Sequence, residues 1–561
     1  MRVYARLCSG LGICVYTGSR LENMQADGGW NVLIEKQRTA LPFGACGIIG
    51  LECKISPRAE FRHQQQENDA GRLAGRAGAE SQVVRSVGYR GFFSARAAIS
   101  GLFVALPTVL FYGTLFRHLV NLPFMDDYDI LQFLNQIAQV RSAAAKLSLF
   151  LAWQHNVYKL FFVDGLSWAQ FAVLGHVNFA QLCVLGDSAV LVLAFILWSM
   201  FLPGQRDLAR RLALFVPVSW LLFQIVYWET LNWTLGALQN LWVIVFSLGA
   251  IRCLLLAQRK AYSGALLLYA LAIAASGNGF FVLPVGLLTL AKRRQYTRAG
   301  GLLALTALGV AAYAYHYDFI SLQEQPGGSA FSGLRHWRPD YPIAFVGNAG
   351  ILASHPAIVA LRRFVPGISI PPDGSAGALI SEPAINLATC LALGTFLLAL
   401  FGWLMWRGYP RRNPWVSSSV LFLLLTAAGV AGLRSGIGVW QSLSPRYAIY
   451  GTLLLILAWM AVAEEFLEHR SEGLLGNGLC TATTVAAIVL ALCTDVADTT
   501  ALVRRNSEIV LGMQAFEHPA TPGSTEGPML GDDPGDADFH AQARETLTDS
   551  IRLGVYEPPR L

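Results

Sequence analysis

The run Pro123-Phe124-Met125-Asp126-Asp127-Tyr128-Asp129 places three carboxylates within four residues. Held at a membrane face, one such carboxylate can act as general base, taking the proton of an acceptor hydroxyl as its oxygen attacks an activated carbon. Grouped, the three are alternatively suited to a divalent cation that neutralises a departing phosphate. The spacing leaves both chemistries open. An acidic helix N-cap accepts from free amide groups, which explains one aspartate of the three. Asp126 and Asp127 are therefore the candidate catalytic residues, with Asp129 beside them as a binding residue.

Three further clusters carry binding chemistry. Trp153-Gln154-His155-Asn156-Val157-Tyr158-Lys159 offers an imidazole and a cation, His155 and Lys159. In Tyr227-Trp228-Glu229-Thr230-Leu231-Asn232-Trp233 the tryptophans suit an interfacial belt, but a belt has no use for Glu229. Arg434, Trp440, Arg446 and Tyr447 form the last cluster. An arginine binds a lipid-borne phosphate through two parallel hydrogen bonds, so Arg434 and Arg446 are candidate phosphate ligands. Walker A, HExxH and kinase signatures are absent, and Ser276-Gly277-Asn278-Gly279 reads as a helix-breaking turn.

The elements that must position these residues are membrane helices. Of 561 residues, 54% are hydrophobic and 14% charged, against roughly 25% charged in soluble globular chains. Such a deficit cannot clothe a water-soluble surface, so the chain is expected to be an all-α integral membrane protein in a lipid bilayer. A net charge of +6 gives no indication of nucleic-acid binding. Cys183, Cys253, Cys390, Cys480 and Cys493 lie in or beside apolar runs and read as small packing residues.

Windows of about 20 apolar residues place spans near 96–117, 172–202, 210–228, 237–257, 262–277, 279–291, 299–317, 386–407, 415–433, 446–466 and 473–494, about eleven in all. Arg206, Arg210 and Arg211, then Arg252, Arg259 and Lys260, then Lys292 to Arg294 and Arg298, and finally Arg407, Arg411 and Arg412 share one side with the residues before the first span. The positive-inside rule makes that side cytoplasmic, with the amino terminus on it. The four chemical clusters then meet on the outer face, with the turn 277–279. Residues 130–141 carry apolar positions at helical spacing, the pattern of a surface helix in the first outer loop.

Four segments follow. Residues 1–94, with twelve basic and eight acidic side chains, read as a disordered cytoplasmic extension or as sequence upstream of the true start. Cys8, Cys14, Cys46 and Cys53 lack the CxxC spacing of a zinc site, and the glycine-broken patch 7–16 does not read as a signal peptide. Residues 95–495 form the polytopic membrane domain. Within it, 318–385 is a large outer loop whose apolar stretch 342–361 is expected to be re-entrant or to lie on the membrane surface. Residues 496–561 form an acidic outer tail.

A first span, an outer loop bearing Asp and a surface helix together resemble the GT-C superfamily of polytopic glycosyltransferases, and among them a group of bacterial GT-C-like membrane proteins. Phe124-Met125-Asp126-Asp127-Tyr128-Asp129 is similar to their Phe-Trp-Asp-Gln-Trp-Asp. His155-Asn156-Val157-Tyr158-Lys159 stands where they have His-Asn-Glu-His-Arg, and Tyr227-Trp228-Glu229-Thr230 where they have Gln-Trp-Glu-Asn. Gly277-Asn278-Gly279 and Ser444-Pro445-Arg446-Tyr447 complete the likeness, which covers roughly 96–495. Val157, Tyr158 and Lys159 depart from the family's Glu, His and Arg.

The resemblance implies a bacterial inner-membrane enzyme passing a sugar from a polyprenyl-phosphate donor to a glycan, lipid or protein acceptor. Asp126 would be the base, supported by Asp127 or Asp129. Arg434 and Arg446 would hold the phosphate, and Glu229 and His155 would line the sugar pocket, with Lys159 and Tyr447 among the substrate-binding residues. The residues name no cofactor, and a divalent cation is neither demanded nor excluded. A lipid-linked glycan transporter and an inactive GT-C-like scaffold are the alternative readings.

Overall fold

The computed structural model describes residues 95–155, 158–256, 258–318, 337–349, 382–467, 474–518 and 537–559, all within one compact unit. Residues 1–94 lie outside the described residues. Among those described the chain is helical, with two isolated bridges and no strand.

Among the described residues, nine helical segments are long and apolar enough to cross a membrane. The first is α1 (Ala95–Arg117), followed by three helices too short to span, α2 (Asp127–Gln139), α3 (Ala143–Ala152) and α4 (Phe161–Leu174). Next come α5 (Phe179–Asp187) and α6 (Ala189–Met200), joined at Ser188 into one span, then α7 (Leu208–Leu222), extended by a 3-10 turn to Tyr227, and α8 (Thr234–Leu255). A hairpin of α9 (Arg259–Ala275) and α10 (Val282–Lys292) precedes α11 (Tyr296–Ala314) and the short α12 (Asp340–Gly347). The chain continues through α13 (Glu382–Trp406), α14 (Tyr409–Arg412), α15 (Pro414–Arg434), α16 (Ala448–Val462), α17 (Leu474–Glu517) and α18 (Ala537–Arg552).

Nine of the eleven expected spans thus have a counterpart. The other two, 262–277 and 279–291, correspond to α9 and α10, which have 17 and 11 residues. Both open ends of this hairpin are basic, Arg259 and Lys260 on one arm and Lys292 and Arg293 on the other. Counted or omitted, it enters as a pair, so the sidedness of the remaining helices is the same.

Three boundaries differ from expectation for physical reasons. The span expected over 172–202 begins only at Phe179, because Gly175 adopts φ 80° and ends α4, and Asn178 then caps α5 by accepting from the Gln181 amide at 3.0 Å. The surface helix α2 does not rest its apolar face on lipid. Ile130, Leu131, Phe133, Leu134 and Ile137 are fully buried under protein, against neighbours from α4 and α18. The acidic tail expected from 496 onward is not separate either. Helix α17 runs unbroken through that boundary for 44 residues, roughly 66 Å. Its far half brings Ile509 and Met513 into the cluster that holds α2, together with Ala543 and Leu547 of α18 and with Tyr556. Asn135 donates to the Thr546 carbonyl (3.2 Å) and the Tyr556 hydroxyl to the Asn121 carbonyl (2.7 Å).

Of the segment 342–361, residues 342–349 are described, and they end α12 inside the bundle. The fit is made by glycine. A Cβ on Gly347 would lie 1.8 Å from the Cys390 carbonyl oxygen, and one on Gly394 would lie 2.0 Å from that of Ile343. Backbones of α12 and α13 therefore touch at a distance only paired glycines permit. Gly113 on α1, by contrast, has open space around it. Gly347→Val is expected to destabilise the protein by about 3 kcal/mol or more, whereas Gly113→Ala stabilises it by up to about 1 kcal/mol. Thermal unfolding of the two variants in detergent measures both.

Candidate functional site

The site is built where the ends of α1, α7, α15 and α16 meet α2 and α12. Met125 has φ 48°, a left-handed conformation that costs a side-chain-bearing residue on the order of 1–2 kcal/mol. That turn presents Asp126 at the N-cap of α2. Its carboxylate caps nothing: no side-chain bond to the helix amides forms. Burial and the neighbouring Asp129 push the Asp126 carboxyl above the usual carboxylate range, while the charges of His155, Arg446 and Arg434 pull it back down. Five of the residues singled out in the sequence therefore share one electrostatic neighbourhood.

Asp127 turns the other way. It is 1% exposed, and its two oxygens accept from the Leu235 amide at 2.9 Å and the Phe124 amide at 3.2 Å. Leu235 lies in the first turn of α8, so Asp127 caps a helix other than its own, where the dipole favours a negative group. Burial lifts its carboxyl to about 8, against the pull of those amides. The expectation of a catalytic Asp127 meets a carboxylate occupied in holding α8 to the first loop.

His155 stands between two acids. Nε2 is 2.8 Å from Asp164 Oδ1 and Nδ1 is 3.4 Å from Asp129 Oδ2. His155 and Asp164 are 3% and 1% exposed, and Asp129 is 33% exposed. Burial works against a charged imidazole here, but Asp164 and Asp129 outweigh it and push His155 up to about 10. A ring that keeps both protons cannot serve as a general base. It instead holds a fixed positive charge behind Asp129, anchored from below by Asp164.

Lys159 is fully buried. Its ammonium donates to the Leu151 carbonyl at 2.7 Å and to the Tyr315 carbonyl, tying the C-terminal ends of α3 and α11 together, where a cation complements both dipoles. The substrate-binding role expected for it is taken up by this structural one.

On the opposite wall, Glu229 organises the second arginine. Glu229 Oε1 pairs with the Arg446 guanidinium at 2.9 Å, while Oε2 accepts from the Ser444 hydroxyl at 2.6 Å and the Arg446 amide at 3.2 Å. Arg446 Nε also donates to Ser444 Oγ at 3.0 Å. Arg434, at the end of α15, donates to the Tyr158 hydroxyl at 2.5 Å. Asn348, just after α12, donates to the carbonyls of Ser442 and Ser444, both at 3.1 Å. Tyr447 stacks on Phe345 with centroids 5.2 Å apart, and Phe345 lies 5.6 Å from Tyr450, which accepts from Asn278. The turn 277–279 thus supports the site from behind.

The buried polar atoms around the site that have no hydrogen-bond partner among the described residues include the Tyr341 hydroxyl, Trp153 Nε1, His155 Nδ1 and Asn278 Oδ1. Tyr341 is fully buried, and the charges of Arg434 and Arg446 reach it. Buried donors without partners are rare enough to require a reason, and here the reason offered by the surroundings is an anion. No group of three or more His, Cys, Asp or Glu side chains gathers to hold a metal among the described residues.

Asp164, Tyr341 and Arg505 escape a reading of the sequence, and Ser444 enters it only as part of the run Ser444–Tyr447. Asp164 did leave a signal, since a carboxylate in Phe161-Phe162-Val163-Asp164-Gly165-Leu166 interrupts an apolar helix. Arg505 did not, because it lies past the last span. Its guanidinium donates to the carbonyls of Trp228 (3.0 Å), Glu229 (3.3 Å) and Leu231 (2.7 Å), and it packs 5.2 Å from the Phe124 ring.

Compared with family models, curated proteins and solved structures, the chain matches none of them. The site geometry itself makes a prediction about charge. His155 titrates in the fold near 10 and near 6.5 when unfolded, so its contribution to stability is complete below about 6.5 and is lost as pH rises through about 10. Asp164→Asn is expected to flatten that pH slope, to lower the His155 midpoint by more than one unit and to cost about 3 kcal/mol. Histidine-labelled NMR together with unfolding at several pH values measures all three.

Proposed function

We propose that the protein is a glycosyltransferase of GT-C type, moving a sugar from a polyprenyl-phosphate donor to an envelope glycan, lipid or protein hydroxyl at the outer face of a bacterial inner membrane. The observation that carries this reading is the meeting of a non-capping carboxylate, Asp126, with two arginines from the far end of the chain. Base and anion ligands belong to one neighbourhood, as displacement of a phosphate by an oxygen nucleophile requires.

In the reaction, the acceptor O–H gives its proton to Asp126 as its oxygen bonds to the anomeric carbon. The bond from that carbon to the phosphate oxygen breaks, and the electron pair leaves with the polyprenyl phosphate. Charge grows on the phosphate as the bond breaks, where Arg434, Arg446 and the Tyr341 hydroxyl supply donors in a partly desolvated setting. Asp129, with the fixed charge of His155 behind it, and Glu229 offer acceptors for sugar hydroxyls. Burial and Asp129 raise the Asp126 carboxyl above the usual carboxylate range, which makes it a stronger base than an exposed aspartate. The positive-inside bias of the basic loops supports a cytoplasmic amino terminus and, with it, a site on the outer face.

The transporter reading requires a polar path across the bilayer. The buried polar side chains Asp187, Gln224 and Thr494 instead gather near the Tyr227–Asn232 loop, at the site's own end: Asp187 accepts from the Asn232 amide, and Thr494 donates to Gln224 beside the 3-10 turn. Purified protein in lipid, presented with a panel of polyprenyl-phosphate sugars, is expected to release bare carrier. Asp126→Asn lowers that release by at least about 100-fold. Release at the wild-type rate by a normally folded Asp126→Asn protein defeats the assignment of the base.

A further inference from the structure

The end of the bundle away from the site holds an apolar cavity of ≈ 250 Å³ between α10, α13 and α15. Leu288, Met405, Leu421 and Leu424 line it. Leu288 and Met405 are exposed at 53% and 67%, so the cavity opens sideways, toward the hydrocarbon that surrounds a spanning helix. Lys292 and Arg293 stand at its mouth. Arg293 donates to the Leu255 carbonyl at 2.7 Å, closing the end of α8. Lys292 is exposed and has no hydrogen-bond or ion-pair partner among the described residues. Pro414, in the first turn of α15, also lines the cavity.

We propose that this cavity is a binding site for one anionic phospholipid, with an acyl chain between α10, α13 and α15 and the phosphate on Lys292 and Arg293. An apolar cavity beside the bilayer core is filled by hydrocarbon, not by water. The mouth selects the headgroup. Two cations favour a net negative lipid, whereas a zwitterionic headgroup brings an ammonium group into the same positive field. The site is separate from the outer-face chemistry and does not depend on it.

The test uses the whole protein in nanodiscs of phosphatidylcholine with a minor fraction of phosphatidylglycerol, and native mass spectrometry to count the lipid retained. Wild type is expected to keep one phosphatidylglycerol. Lys292→Glu lowers its retention by roughly five-fold or more, the effect of removing one cation beside an anionic headgroup. Leu421→Trp, which fills the cavity, abolishes retention. Leu267→Trp, on the exposed face of α9 away from the cavity (63% exposed), leaves it unchanged. Equal retention of phosphatidylcholine by wild type, preference for polyprenyl phosphate over phosphatidylglycerol, or unchanged retention by Lys292→Glu each overturns the proposal. Lys292 lies on the surface, so that variant decides the matter even if the tryptophan in the cavity impairs folding.

Discussion

Arg505 is the contact on which the site depends. A buried guanidinium is costly unless its donors are used, and Arg505 uses them on three successive stretches of one loop, the carbonyls of Trp228, Glu229 and Leu231. The same loop is held at Asn232, which has φ 51° and donates to Asp187 and to the Leu115 carbonyl. With the loop held, Glu229 faces Arg446 and Ser444. With Glu229 held, Arg446 is aimed by two contacts at once. The position of a candidate phosphate ligand is therefore set in part by Arg505, which acts on the backbone of the loop.

Buried charges fall into two groups with different tasks. Lys159, Arg505 and Asp127 spend themselves on backbone amides and carbonyls and bind separate elements together. Asp126, Asp129, Arg434 and Arg446 are only partly covered. His155 links the groups, being buried like the first and turned toward an exposed acid of the second. In a medium of low polarity, the structural charges also fix the field in which the others act, and they do so before any substrate arrives.

Much of the site was legible in the residue types. Costly polar groups at span ends could be gathered onto one face by counting crossings, and the structure does bring Asp126, Asp129, His155, Glu229, Arg434 and Arg446 together. What the sequence did not resolve was which of several neighbouring charges would point where. Asp126 and Asp127 are adjacent, and only the packing of α8 decides that the second serves as a cap. The helix at 130–141 was found from its period, but periodicity cannot tell lipid from protein as the covering layer. Arg505 and α18 were missed for a related reason: an acidic, polar composition after the last span looks like a tail until its sparse apolar positions, Ile509, Met513 and Leu547, find a common partner.

The order of the chain along this structure has a consequence for biogenesis. Asp126 emerges from the ribosome early, Arg446 much later, and Arg505 close to the end. Until α17 has been inserted, the 228–231 loop lacks its clamp and the site has walls but no fixed geometry. Synthesis and competence are thereby separated in time, and a polypeptide halted after α16 would sit in the bilayer with every candidate catalytic group present but with the 228–231 loop lacking its Arg505 clamp.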